Sequence, residues 1–224
     1  MKRFLKENSL GLVFGALFLA SLTGQAIAGR LAYNEDQLAH GGDPVSFGRY
    51  LTSSDFGQAV MENWQSEYLQ FLVFLLLTIW LFQKGSPESK KEDELGRESE
   101  SEQLIGEHAK RSSPGPAKAA GWRAALYGNS LLIVMGLIFL GTWFGQSVTG
   151  WTKYNSEQLD HHAEAVSWLA YLGNPQFWET TLQNWQSEFL AVGSFAVFAV
   201  YLRQRGSPES KPVGAAHTDT AAEG

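Results

Sequence analysis

Asn63-Trp64-Gln65-Ser66-Glu67-Tyr68-Leu69 returns as Asn184-Trp185-Gln186-Ser187-Glu188-Phe189-Leu190. Gly85-Ser86-Pro87-Glu88-Ser89-Lys90 returns unchanged as Gly206-Ser207-Pro208-Glu209-Ser210-Lys211. Both pairs lie at one offset, which holds without a gap from Asn8 and Asn129 to Lys90 and Lys211. Similarity sustained at one spacing over such a length marks a tandem duplication. Each half therefore checks the reading of the other.

Outward from these motifs, the apolar residues gather in four blocks: 10–28 and 64–82 in the first half, 131–148 and 189–202 in the second. Each is nearly free of charge, and a span of about 20 apolar residues crosses a ~30 Å hydrocarbon core as a helix. Buried helices of a water-soluble bundle would carry polar stripes at helical spacing, and residues 72–82 and 131–140 show none. The predicted fold is all-α. It is a four-transmembrane-helix bundle made of two tandem helical hairpins, parallel to each other and related by a pseudo-two-fold axis along the membrane normal.

The boundaries follow. Residues 1–90 form the first repeat, with helices near 8–28 and 55–83. Residues 91–121, rich in Glu, Ser, Lys and Pro, read as a flexible cytoplasmic linker. Residues 122–211 form the second repeat, with helices near 126–149 and 175–204, and residues 212–224 a disordered tail. Gly85 and Gly206 read as helix C-caps, each followed by a proline that prevents continuation. The outer loops carry short helices. Asn34 with Gln37, and Asn155 with Gln158, have the spacing of a helix-starting capping box. Val45, Phe47, Tyr50 and Leu51, matched by Val166, Trp168, Tyr171 and Leu172, read as a second short stretch in the interface. Asn174-Pro175 reads as the N-cap and first position of the last helix, with Ser54-Asp55 in the same role earlier.

Charge sets the orientation. Of 17 Lys and Arg residues, only Arg30, Arg49 and Lys153 lie in the two loops inside the hairpins. The positive-inside rule then places both termini and the linker in the cytoplasm. Trp64, Trp151, Trp168, Trp178 and Trp185 cluster at the outer boundary, with Trp80 and Trp122 at the inner one. The net charge of −6 follows this layout and points to no nucleic-acid partner. Lys2, Arg3 and Lys6 ahead of an apolar run and Ala26-Ile27-Ala28 also fit a signal peptide. Its residues recur in the internal segment 129–150, which favours a retained helix. The absence of cysteine excludes disulfides, thiolate metal sites and cysteine nucleophiles.

The polar residues inside the apolar blocks are the candidate site. Asn63, Ser66, Glu67 and Gln70 fall at i, i+3, i+4 and i+7 on one helix face; Asn184, Ser187 and Glu188 repeat it. A carboxylate in a spanning segment is unfavourable facing lipid and belongs against other helices or water. By pseudo-symmetry Glu67 and Glu188 approach the bundle axis from opposite sides, with Gln25 and Gln146 as hydrogen-bond partners. Such a centre serves either a proton or cation at the mouth of a small pathway, or interhelical bonding that fixes register. Asp36 with His40, and Glu157 with His161, stand at i and i+4, so two copies supply four ligands for a divalent metal. A solvated carboxylate–histidine pair explains the same spacing. Small residues at Ala20/Gly24 and Gly141/Gly145, and Gly11/Gly15, permit close helix packing.

No nucleophile elbow, phosphate loop, His-Glu-x-x-His pattern or Ser/His/Asp set occurs, so a non-enzymatic protein with no cofactor is expected. Its partners are the lipid bilayer, a proton or cation, or a protein docked on the outer loops or linker. With both motifs in both halves, the chain resembles a bacterial family of small polytopic membrane proteins classed as a domain of unknown function. The resemblance covers nearly all of residues 4–211. It implies an inner-membrane protein and supplies no activity.

Overall fold

A computed structural model describes residues 1–119 and 121–221. Among these, all regular structure is helical: α1 (Lys2–Glu7), α2 (Ser9–Ala39), α3 (Phe47–Leu51), α4 (Ser54–Leu77), α5 (Trp122–Gly128), α6 (Ser130–Asp160), α7 (Trp168–Leu172) and α8 (Pro175–Tyr201), with 3-10 turns at Glu92–Glu94, Gly106–His108 and Gly115–Lys118. Two helices, α2 and α6, are long and apolar enough to cross a membrane. At 31 residues each, they run ~46 Å at 1.5 Å per residue, beyond a ~30 Å core.

Both long helices begin at an Asn-Ser pair. Asn8 and Asn129 leave the helical region at φ −118° and −112°. Their side chains donate back to Phe4 O (2.9 Å) and Ala125 O (2.7 Å), which satisfies the ends of α1 and α5. The first and third helices were expected to end near 28 and 149; they continue to Ala39 and Asp160. Asn34 and Asn155 are therefore helix-interior residues, not N-caps. Each reaches out instead: Asn34 donates to Val45 O (3.2 Å) and accepts from Val45 N (2.8 Å). Asn155 does both with Val166 at 2.9 Å. A side-chain amide has a donor and an acceptor side by side, so it pairs with an extended backbone as a neighbouring strand would. Arg30 (3.0 Å) and Trp151 (2.7 Å), equivalent in sequence yet unlike in chemistry, donate to the same two carbonyls.

The chain forms two compact units: Met1–Met61 with Gly145–Tyr171, and Glu62–Phe144 with Leu172–Gly224. The first is organised on two buried tyrosines from α3 and α7, Tyr50 and Tyr171. Each hydroxyl lies over a glycine, Gly29 or Gly150, where any side chain would collide. Each ring also packs on a tyrosine one turn further along, Tyr33 at 5.7 Å or Tyr154 at 5.5 Å. In this unit Gly145 sits against Met61, and Asp55 pairs with Lys153 at 3.5 Å. Of the small residues expected to allow close approach, Gly145 does so, whereas Gly11, Gly15, Gly24 and Gly141 have open space around them.

In the second unit, parts of α4, α6 and α8 contact one another. Trp143 stacks on Phe139 (5.6 Å) and Phe177 (6.3 Å) and meets Trp185 at 5.8 Å. Leu72 of α4 packs over Gly136 of α6. Asn174 caps α8 as expected, accepting from Gln176 N (2.8 Å). The cap of α4 is not Ser54, which is its first helical residue, but Ser53 of the first unit, which accepts from Phe56 N (3.2 Å).

The ends of α4 and α8 differ from expectation. α4 stops at Leu77, not near 83: Thr78 Oγ1 bonds back to Phe74 O (3.0 Å), and the chain tightens into a turn before Ile79 O accepts from Gly96 N (2.7 Å). α8 stops at Tyr201, three residues early, where the Arg203 guanidinium caps the carbonyls of Val200 (3.0 Å) and Leu202 (2.8 Å). Gly85 and Gly206 are thus not helix C-caps. They occupy positive φ (85° and 87°) in later turns. Nor is the segment after Pro212 loose: Lys211, buried, donates at 3.1 Å to the carbonyls of Ala216, His217 and Asp219. Thr220 and Ala221 bond to Gly85 and Ser86. The part of the expected disordered tail at 222–224 lies outside the described residues.

Candidate functional site

The polar stripe on α4 faces α8 within the second unit, but through residues only half foreseen. Ser66, buried, donates to Asn63 O (2.9 Å) and lies 3.4 Å from Glu188 Oε1. Gln65, 0% exposed, accepts from Trp185 Nε1 at 2.7 Å, while its amide nitrogen donates to Glu62 O at 3.0 Å. Gln65 was absent from the expected site, and Trp185 was read as an anchor at the membrane boundary. Here the indole N–H is spent inside the protein. The signal available in the sequence was the Trp-Gln-Ser-Glu order itself, which puts a donor, an amide, a hydroxyl and a carboxylate on consecutive positions of both helices.

The stripe is engaged asymmetrically. Gln65 and Ser66 are buried, yet their equivalents Gln186 and Ser187 are exposed. Ser187 bonds only locally, to Asn184 O (2.8 Å), and Asn184 to Thr180 O (2.9 Å). Glu188 is half-buried and Glu67 exposed. Two helices in direct contact cannot both present the same face to each other unless the symmetry axis passes through that contact. One copy's stripe is therefore the inner partner here. Gln25 and Gln146, expected beside the glutamates, belong to the other compact unit, where Gln25 is exposed and Gln146 buried.

The candidate metal ligands do not assemble. His40 Nδ1 lies 2.9 Å from Asp36 O and 3.4 Å from its carboxylate, with both side chains open to solvent. Glu157 is drawn to Lys153 at 3.9 Å. Among the described residues no cluster of three or more His, Asp or Glu is placed to hold a metal. The i, i+4 spacing produced what it most often does on an exposed helix end, a solvated pair.

A family model described as a domain of unknown function (DUF6766) matches residues 1–222. The chain belongs to this family. The match takes in both motifs of both halves and every element above. No curated protein and no solved structure gives a significant match.

Proposed function

We propose that this family member is a non-enzymatic, multi-pass protein of the bacterial inner membrane, with four spanning helices from two tandem hairpins and both termini cytoplasmic. Gln65, Ser66, Trp185 and Glu188 form a polar junction pairing α4 with α8. Glu188, with Glu67 close by, is its ion-responsive end near the outer boundary, open to a proton or cation. The observation that carries the reading is the burial of Gln65 and Ser66, whose side chains meet Trp185 and Glu188 from the corresponding helix of the other copy. A buried amide or hydroxyl left unmade is unfavourable by about 1–3 kcal/mol, so the junction fixes one register. Bilayer residence is supported by the composition of α2 and α6. Leu10, Val13, Phe14, Leu17 and Leu19, and Leu131, Val134, Leu137 and Leu140, are exposed where a water-soluble protein would bury them.

The experiment is flux into vesicles reconstituted with the full chain. Proton or monovalent-cation entry is expected in the wild type. Glu67→Gln with Glu188→Gln is expected to reduce it at least about tenfold, as removing both carboxylates of the junction should. Wild-type vesicles no leakier than protein-free ones would sink the ion role and leave a scaffold for a protein partner.

A further inference from the structure

The two Gly-Ser-Pro-Glu-Ser-Lys segments fold into turns of one construction. Gln83 N donates to Ser89 Oγ at 2.9 Å, and Gln204 N to Ser210 Oγ at 2.8 Å. Ser86 N and Ser207 N donate to Gln83 O (3.0 Å) and Gln204 O (3.2 Å). Ser86 Oγ and Ser207 Oγ then accept from Glu88 N (3.3 Å) and Glu209 N (3.2 Å). Each turn thereby fixes the backbone that carries its glutamate, Glu88 half-buried and Glu209 at the more open side, and the two carboxyl groups converge on one cavity. Both line one cavity of about 360 Å³, whose wall includes Gln70, Phe71 and Phe74 of α4 and Phe195 of α8.

A carboxylate is an acceptor only, so two carboxyl groups can bond to each other only when one carries a proton. Neutralisation by a base would be the alternative, but the neighbouring bases are turned elsewhere. Lys90 donates to Gly96 O (2.9 Å) and to Glu98. Lys211 is held by three carbonyls of the following segment, and Arg203 by the end of α8 and by Ala215 O (3.1 Å). Lys84 and Arg205, on the same turns, are exposed to solvent. The helices contribute one amide and apolar side chains to the cavity, and no charge.

We infer that Glu88 and Glu209 form a proton-dependent latch, in which one shared proton holds the two turns together across the cavity and its loss lets them part. Burial, then the hydrogen bond to Glu209, then the charge of Glu209 push the Glu88 carboxyl up from 4.5 to about 7. A carboxyl raised on folding binds more protons in the folded state. Its contribution is therefore complete below about 4.5 and is lost as pH climbs through about 7. The latch is closed on the acid side and opens as pH passes through neutrality.

Two readouts on the full chain in detergent test this, and neither depends on ion flux. The part of the protonated-carboxyl infrared band that Glu88→Gln with Glu209→Gln removes is expected to titrate with a midpoint near 7, not 4.5. Hydrogen-exchange protection of residues 83–90 and 204–211, corrected for the intrinsic rate, is expected to fall at least about tenfold above that midpoint, an opening of roughly 1.4 kcal/mol. In Glu88→Gln alone, the amide N–H replaces the shared proton, so protection is expected to stay high at all pH values. A midpoint near 4.5, a band near 7 left unchanged by the double substitution, or wild-type protection unchanged across neutrality would each overturn the inference.

Discussion

Gly85→Ala is expected to destabilise the protein by about 3 kcal/mol or more, whereas Gly206→Ala, at the same position of the second Gly-Ser-Pro-Glu-Ser-Lys motif, should lose only about 1–2 kcal/mol. Both glycines have positive φ, 85° and 87°, where a Cβ is unfavourable for any L-residue. The difference lies in what surrounds them. A Cβ at 85 would stand 2.1 Å from His217 O and 2.9 Å from Val200 Cγ1; at 206 there is open space. The carbonyl of His217 cannot swing aside, because Lys211 Nζ donates to it and Thr220 bonds to Gly85 N at 2.9 Å. Thermal midpoints in detergent read the ranking, and limited proteolysis after Pro212 reads release of the segment. Equal losses for the two substitutions would mean that the C-terminal segment does not dock on the Gly85 turn.

Gly150→Ala is the second large effect, about 1–3 kcal/mol for overpacking a filled site. Its Cβ would lie 2.5 Å from the Tyr171 hydroxyl and 3.3 Å from the ring carbon that bears it. Displacing the end of a side chain is normally cheap, but Tyr171 is 2% exposed and its ring is packed on Tyr154. A double-mutant cycle with Tyr171→Phe removes the colliding atom, so the pair should recover most of what Gly150→Ala loses. Additive losses would show that the tyrosine does not occupy the space over the glycine. Gly29 and Tyr50 make the same contact, closer still.

Helical content, the starts of the helices at 54 and 175 and the short helices at 47–51 and 168–172 were legible because they rest on local signals: apolar run length, the Asn-Pro pair, and agreement between the two halves of the sequence. What failed depended on partners distant in sequence. Asn34 has the residue type and spacing of a cap, yet its amide is used eleven residues away at Val45. The early stop of α4 follows from Thr78 bonding back to the helix and from Gly96 reaching Ile79, neither visible as a proline or glycine in the right place. The site was half legible. The stripe through Ser66 and Glu188 was found from periodicity, but Gln65 was missed because it sits one position off that face, where only the partner helix decides whether it is buried. The Glu88–Glu209 contact was invisible for the same reason: repetition showed that the motif matters twice, not that the two copies touch.

In the proposed topology two hairpins cross a bilayer in the same sense. The chain contains no cysteine, so single cysteines at positions 40, 108 and 161 give clean reporters for a membrane-impermeant thiol reagent applied to intact cells. Labelling of positions 40 and 161 from outside, with position 108 reached only after permeabilisation, is the predicted result. Positions 40 and 161 on opposite faces would contradict it.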